Sequence, residues 1–182
     1  MRRQFWFGLS ALAWTLTIYI ALPVSARLYV FLTQNTPLDF LIKFAFSVVA
    51  LALFLILRKT ALVSRKPFSI HFILALFLFF FALSSARDLE DLIHFVQYTI
   101  LSSLIYGTLF VGGREGKACF MAFLLTFLVG WLDEMLQPLV PGRGFEWHDL
   151  LTNSLAALFG LIFSGIVSRA GAYDKDVYVK EV

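Results

Sequence analysis

Cysteine is almost missing from this chain. Cys119 stands alone among 182 residues, so no intrachain disulfide can form, and its natural role is that of a small apolar helix residue. Histidine is scarce as well, with three in all, and no His-Glu-x-x-His or comparably tight ligand spacing occurs. His94, His148, Asp133 and Glu134 offer donors that a metal could use, but without such spacing neither a metal site nor a cofactor is expected. A glycine-rich phosphate loop, a nucleophile elbow and a Cys–His pairing are all lacking, which removes the common nucleotide-binding and hydrolase signatures. No polar stretch is long enough to build a second core, so a single domain is expected. The net charge of +3 comes from residues spread over helix ends rather than clustered on a soluble face, which argues against a nucleic-acid partner.

What the chain has instead is apolar surface. Hydrophobic residues make up 60% of it, 21 residues are Phe, and mean hydropathy is +0.83. Soluble domains hold roughly 45–50% apolar residues. Apolar runs near the ~20 residues that cross a hydrocarbon core recur along the sequence, the mark of an integral membrane protein. Six spans are predicted: Phe5 to Leu22, Leu38 to Leu57, Phe68 to Leu83, Leu92 to Val111, Lys117 to Met135, and Leu150 to Val167. Thr36-Pro37-Leu38-Asp39 reads as a helix start, Gly112-Gly113 closes the fourth span, and Pro138 with Pro141-Gly142 closes the fifth. Arg2-Arg3, an apolar run and Val24-Ser25-Ala26 imitate a secretory signal, but the run exceeds the usual ~7–15 residues, so it reads as an uncleaved first helix.

Lys and Arg set the orientation. Arg2 and Arg3, then Arg58, Lys59, Arg65 and Lys66, then Arg114 and Lys117, then Arg169 and Lys175 fall on one side. Arg27 and Asp39, the segment Arg87-Asp88-Leu89-Glu90-Asp91, and the stretch 133–153 fall on the other, with Lys43 snorkelling toward it. The expectation is a multi-pass protein with both termini cytoplasmic.

The stretch 133–153 then becomes informative. The fourth span enters at Glu90-Asp91 and carries His94 and Tyr98, four apart on one helix face. The fifth leaves at Asp133, Glu134 and Gln137, and the sixth re-enters at Asp149 with Asn153 four residues on. Arg143 lies on a Pro-Gly-Arg-Gly turn between them. Each residue alone has an ordinary explanation. Asp149 can cap a helix, Asn153 and Gln137 can bond helices together, and Arg143 can pair with Asp133 or Glu134. Tyr98 and Trp147 can belong to an aromatic belt, and Glu146 and His148 look like solvated loop residues. Together they read as one pocket at a common depth, because polar residues within a membrane normally face a bundle interior or cavity. His94, Asp133 and Glu134 are the catalytic candidates, with imidazole as general base beside paired carboxylates. Tyr98, Gln137, Arg143, Asp149 and Asn153 are the substrate-binding candidates, Arg143 being suited to an anionic group.

Asp133-Glu134-x-x-Gln137, Pro141-x-Arg143 and Asp149-x-x-x-Asn153, with His94-x-x-x-Tyr98 and Ser84-Ser85 upstream, resemble the signature of the VanZ-like family, named for a teicoplanin-resistance accessory protein. The resemblance spans Phe68 to Ser168. The chain departs from the family pattern in having Ala156 where a glycine is usual, with Gly160 following later. The implied fold class is an all-α membrane protein, a bundle of about six transmembrane helices whose last four form the VanZ-like domain. Residues 1–66 would then hold two added N-terminal helices, 67–169 the domain, and 170–182 a cytoplasmic polar tail. The resemblance also implies a bacterial inner-membrane location and a link to the cell envelope and glycopeptide tolerance. The expected partners are the lipid bilayer and an anionic lipid-linked envelope molecule. A hydrolase or transferase using His94, and a non-catalytic structural or partner-binding subunit, stand as alternatives.

Overall fold

A computed structural model describes the backbone of residues 2–35, 40, 44, 74–81, 86, 89–110 and 114–180, with side chains for most of these up to residue 168. Every regular element among them is helical. α1 runs Arg2–Asn35, α2 Leu89–Leu109, α3 Glu115–Leu136 and α4 Trp147–Lys180. A short 3-10 helix, Gln137–Leu139, extends α3. Among the described residues four segments are long and apolar enough to cross a membrane: Gln4–Ala21, Glu90–Leu109, Glu115–Leu139 and Trp147–Ser168.

These match the first, fourth, fifth and sixth expected spans. Residues 74–81 are helical within the third. The second span lies outside the described residues apart from helical Phe40 and Phe44. So do the Thr36–Asp39 helix start, Lys43, the basic loop from Arg58 to Lys66, Ser84-Ser85, Arg87, Asp88 and Gly112-Gly113.

Helix ends differ from the expected ones for a physical reason. Apolar windows report where lipid can surround a chain, whereas backbone hydrogen bonding can continue past that point into water. α1 thus continues beyond Leu22, through Pro23 and the signal-like Val24-Ser25-Ala26, to Asn35. α4 likewise runs on from Val167 into the polar tail as far as Lys180. Glu90 and Asp91, placed before the fourth span by their charge, form the first turn of α2, where the helix dipole favours acids.

α2 is the central element. It packs on α1, α3 and α4, most extensively on α4. α1 runs antiparallel to it. Gln4 Nε2 donates to the Phe110 carbonyl at 3.2 Å, Trp14 Nε1 to the Gln97 carbonyl at 3.0 Å, and the Tyr19 hydroxyl to the Val129 carbonyl of α3 at 3.1 Å. Phe79 of the 74–81 segment meets Phe95 of α2 and Phe159 of α4, with ring centroids 6.2 and 6.0 Å apart. Outside this core, large apolar side chains such as Leu12, Phe120, Leu128 and Leu132 are exposed. Such a surface suits lipid, since soluble proteins rarely leave extended apolar patches open.

Where α2 crosses α4 the backbones nearly touch. Thr99 Oγ1 donates to the Ala156 carbonyl at 3.3 Å, and Ser103 Oγ to the Gly160 carbonyl at 3.2 Å. A Cβ at Gly160 would collide with Ser102 Oγ and the Thr99 carbonyl oxygen. Small residues allow this approach, as is usual between membrane helices. Gly160 therefore carries a close contact in this chain, one turn beyond the contact at Ala156. Gly160→Ala is expected to destabilise the protein by about 1–3 kcal/mol, the usual cost of overpacking. A lower melting temperature in detergent, beside an unchanged one for Gly165→Ala, where a Cβ meets open space, checks this.

Candidate functional site

Because α2 and α4 start, and α3 ends, at one end of the bundle, their polar termini meet there. That end lies opposite the start of α1, which contacts the last turn of α2 through Gln4 and Phe110. Arg114 and Lys117 also lie at the opposite end, at the start of α3.

The centre of the site is α3's last full turn. Asp133 and Glu134 are 1% and 0% exposed. The Tyr98 hydroxyl donates to Asp133 Oδ2 at 2.9 Å. Tyr98 is fully buried, so it serves the bundle interior and not a lipid-facing aromatic belt. Glu134 takes two hydrogen bonds, from Gln137 Nε2 to Oε1 at 2.7 Å and from the Glu146 backbone N–H to Oε2 at 3.2 Å. The second ties the loop after α3 back to its helix. His94, 5% exposed, completes the group. It offers a nitrogen that lies, with one oxygen each from Asp133 and Glu134, within 4.8 Å of the others.

The rim is built from charge pairs. Arg143 forms an ion pair with Glu90, whose Oε1 is also 3.9 Å from His94 Nε2. The internal partner expected for Arg143 was Asp133 or Glu134, so the pairing itself is as anticipated and its carboxylate is a different one. The turn explains the reach. Gly142 has φ +85°, which favours glycine, and the Arg143 N–H donates to the Val140 carbonyl at 3.1 Å. The guanidinium thereby reaches Glu90 on α2. On the other flank, His148 Nδ1 is 3.4 Å from Asp91 Oδ1 and 3.7 Å from Asp149 Oδ1. His148 is thus part of the cluster and not simply a solvated loop residue. The side chain of Glu146 is exposed, as is Trp147. Asp149 lies in the first turn of α4 and is close enough to act electrostatically on both Asp133 and Glu134.

Asn153 lies one turn deeper, 2% exposed, packed on Gly130 of α3 and beside Tyr98. Neither its amide nitrogen nor its amide oxygen has a hydrogen-bond partner among the described residues, and the same holds for Asp133 Oδ1. All eight candidates read from the sequence thus stand at one end of the bundle. Three further residues belong with them: Glu90, Asp91 and His148. The sequence signal for the first two was available, since Glu90, Asp91, His94 and Tyr98 continue one helical stripe at spacings of three and four.

The site is acid-rich. Glu90 pairs with Arg143 and approaches His94, Asp133 and Glu134 stand beside His94, and Asp91 and Asp149 stand beside His148. Most of these carboxylates are buried. Such an arrangement can hold a polar ligand or a cation and can move a proton through His94. Comparison of the chain with family models, with curated proteins and with solved structures returned no significant match.

Proposed function

We propose that the chain is a VanZ-like protein of the bacterial inner membrane whose outward-facing polar site takes the headgroup of an anionic, lipid-linked envelope molecule. One observation carries this reading. Asn153 and Asp133, both almost fully buried, keep polar atoms without hydrogen-bond partners among the described residues. Side chains that only glue helices together satisfy one another, because an unpaired buried polar atom costs about 1–3 kcal/mol. Orphaned atoms beside a set of buried carboxylates fit a site whose partner is a ligand. The charge asymmetry supports outward orientation, since Arg114 and Lys117 belong to the opposite end.

Asn153→Leu separates this reading from a structural one. It removes an unpaired amide and keeps the branched shape, so melting should stay within about 1 kcal/mol of wild type or rise. Teicoplanin protection in a susceptible bacterial host expressing the protein should be lost. A clear fall in melting with protection intact would favour the structural subunit. A second reading, hydrolysis or group transfer at the bound headgroup, is supported by His94 standing against Asp133 and Glu134, the arrangement of a general base and its orienting acid.

Orientation has its own test. With Cys119 replaced by Ala, a cysteine at Gly142 should react with an impermeant thiol reagent in cells whose outer barrier has been opened, and one at Ala172 should not. Labelling at Ala172 alone would reverse the assignment.

A further inference from the structure

We infer that His94, Asp133 and Glu134 form a binding site for a divalent first-row cation, of the Mn2+ or Zn2+ type. The three residues come from two helices, α2 and α3, and each offers a ligand atom lying within 4.8 Å of the others. Ligands about 2.1 Å from one ion stand roughly 3.0–4.2 Å apart, so closure on an ion needs a movement well under an ångström or two. One imidazole with two carboxylates is a borderline nitrogen and oxygen donor set. It suits Mn2+ and Zn2+ and excludes the soft ions that thiolates select.

Two further features point to a ligand rather than to acids that merely cluster. Tyr98 holds Asp133 by Oδ2 at 2.9 Å and leaves Oδ1, on a side chain 1% exposed, with no hydrogen-bond partner among the described residues. A hydrogen bond that fixes one carboxylate oxygen and presents the other is the usual support for a metal-ligating acid. Asn153 packs on Gly130, one turn below Asp133 and Glu134 on the same face of α3, and its buried amide is likewise unpartnered.

Charge makes the ion necessary to the proposed function. The cation of the loop, Arg143, is engaged by Glu90. An anionic headgroup would otherwise meet two buried acids, with Asp149 beside them, and no cation left to take its charge. A divalent ion cancels the charges of Asp133 and Glu134 and leaves open coordination positions for phosphate or carboxylate oxygens. The purpose of the ion rests on the headgroup-binding function proposed above; its existence rests on the side-chain geometry alone.

Mn2+ titrated into EDTA-treated full-length protein in detergent, read by the electron paramagnetic resonance of the free ion, tests the site without any lipid. Wild type should take up one ion per chain, Zn2+ should displace it, and bound Mn2+ should raise the melting temperature. Asp133→Asn should abolish uptake. Glu134→Gln provides the same reading should Asp133→Asn not elute as a folded species. Tyr98→Phe, which removes the supporting hydroxyl, should weaken binding about 10- to 100-fold. Glu115→Gln, at the opposite end of the bundle, should leave it nearly unchanged. Absence of uptake by folded wild type overturns the inference, and so does uptake lost in Glu115→Gln but kept in Asp133→Asn. Ion uptake without lipid retention would instead reject the headgroup function and leave the ion site standing.

Discussion

Glu134→Leu is expected to lower the stability of the protein by about 3–5 kcal/mol, while Glu134→Gln stays within about 1 kcal/mol of wild type. The leucine removes the acceptor of two hydrogen bonds, from Gln137 Nε2 at 2.7 Å and the Glu146 N–H at 3.2 Å. Each lost bond costs roughly 0.5–1.5 kcal/mol, and the buried Gln137 amide, left stranded, adds about 1–3 kcal/mol. Glutamine keeps the shape and one acceptor, and a flipped Gln137 amide can accept from the new nitrogen. It also carries no charge that burial would penalise, which offsets the weaker bonding. The two variants should part company in function as well. Glutamine cannot hold a cation as a carboxylate does, so a well-folded Glu134→Gln should lose teicoplanin protection. Thermal melting with the susceptibility assay decides it. Retained protection in a stable Glu134→Gln would make Glu134 a loop anchor and nothing more.

Arg143→Ala is expected to cost about 1–3 kcal/mol. The pair with Glu90 is mostly buried, with 9% and 26% of the two side chains exposed. Truncating one partner leaves the other charge uncompensated, and that penalty reaches about 3–5 kcal/mol only where burial is complete. Partial exposure of Glu90 sets the smaller figure. Adding Glu90→Gln to Arg143→Ala should therefore restore more than half of the loss, giving a positive coupling in a double-mutant cycle. Recovery of melting together with recovery of protection would assign Arg143 to the fold of the loop. Recovery of melting with protection still lost would assign it to the ligand, which would then have to exchange with Glu90 on binding.

Much of this architecture was legible beforehand, and what was not has identifiable causes. Hydropathy located the four spans because lipid demands length and apolarity together. It did not locate the ends of α1 and α4, since helical hydrogen bonding carries on through Pro23 to Asn35 and through the polar tail to Lys180. The four-residue spacings of His94–Tyr98, Asp133–Gln137 and Asp149–Asn153 brought the right helix faces together. Alternation of helix direction then put those faces at one end of the bundle. Partner choice was beyond such reasoning. Arg143 is nearer in sequence to Asp133 and Glu134, yet the Gly142 turn directs it to Glu90 on α2. His148 shared the sequence context of exposed Glu146 and differs from it only by standing inside the first turn of α4, against Asp91 and Asp149. The nearness of His94 to both carboxylates was anticipated from helix direction and depth, although 39 residues separate His94 from Asp133 and no local spacing encodes the contact.

Native mass spectrometry of the protein released from its own membranes gives the most direct test of the central claim, that the polar cluster holds a lipid-linked anionic headgroup. Wild type should retain a phosphorylated polyprenyl lipid through mild detergent exchange, and Asp133→Asn, matched to it in melting temperature, should not. Wild type that carries no such lipid, or an Asp133→Asn variant that carries it to the same extent, would contradict the assignment of this site.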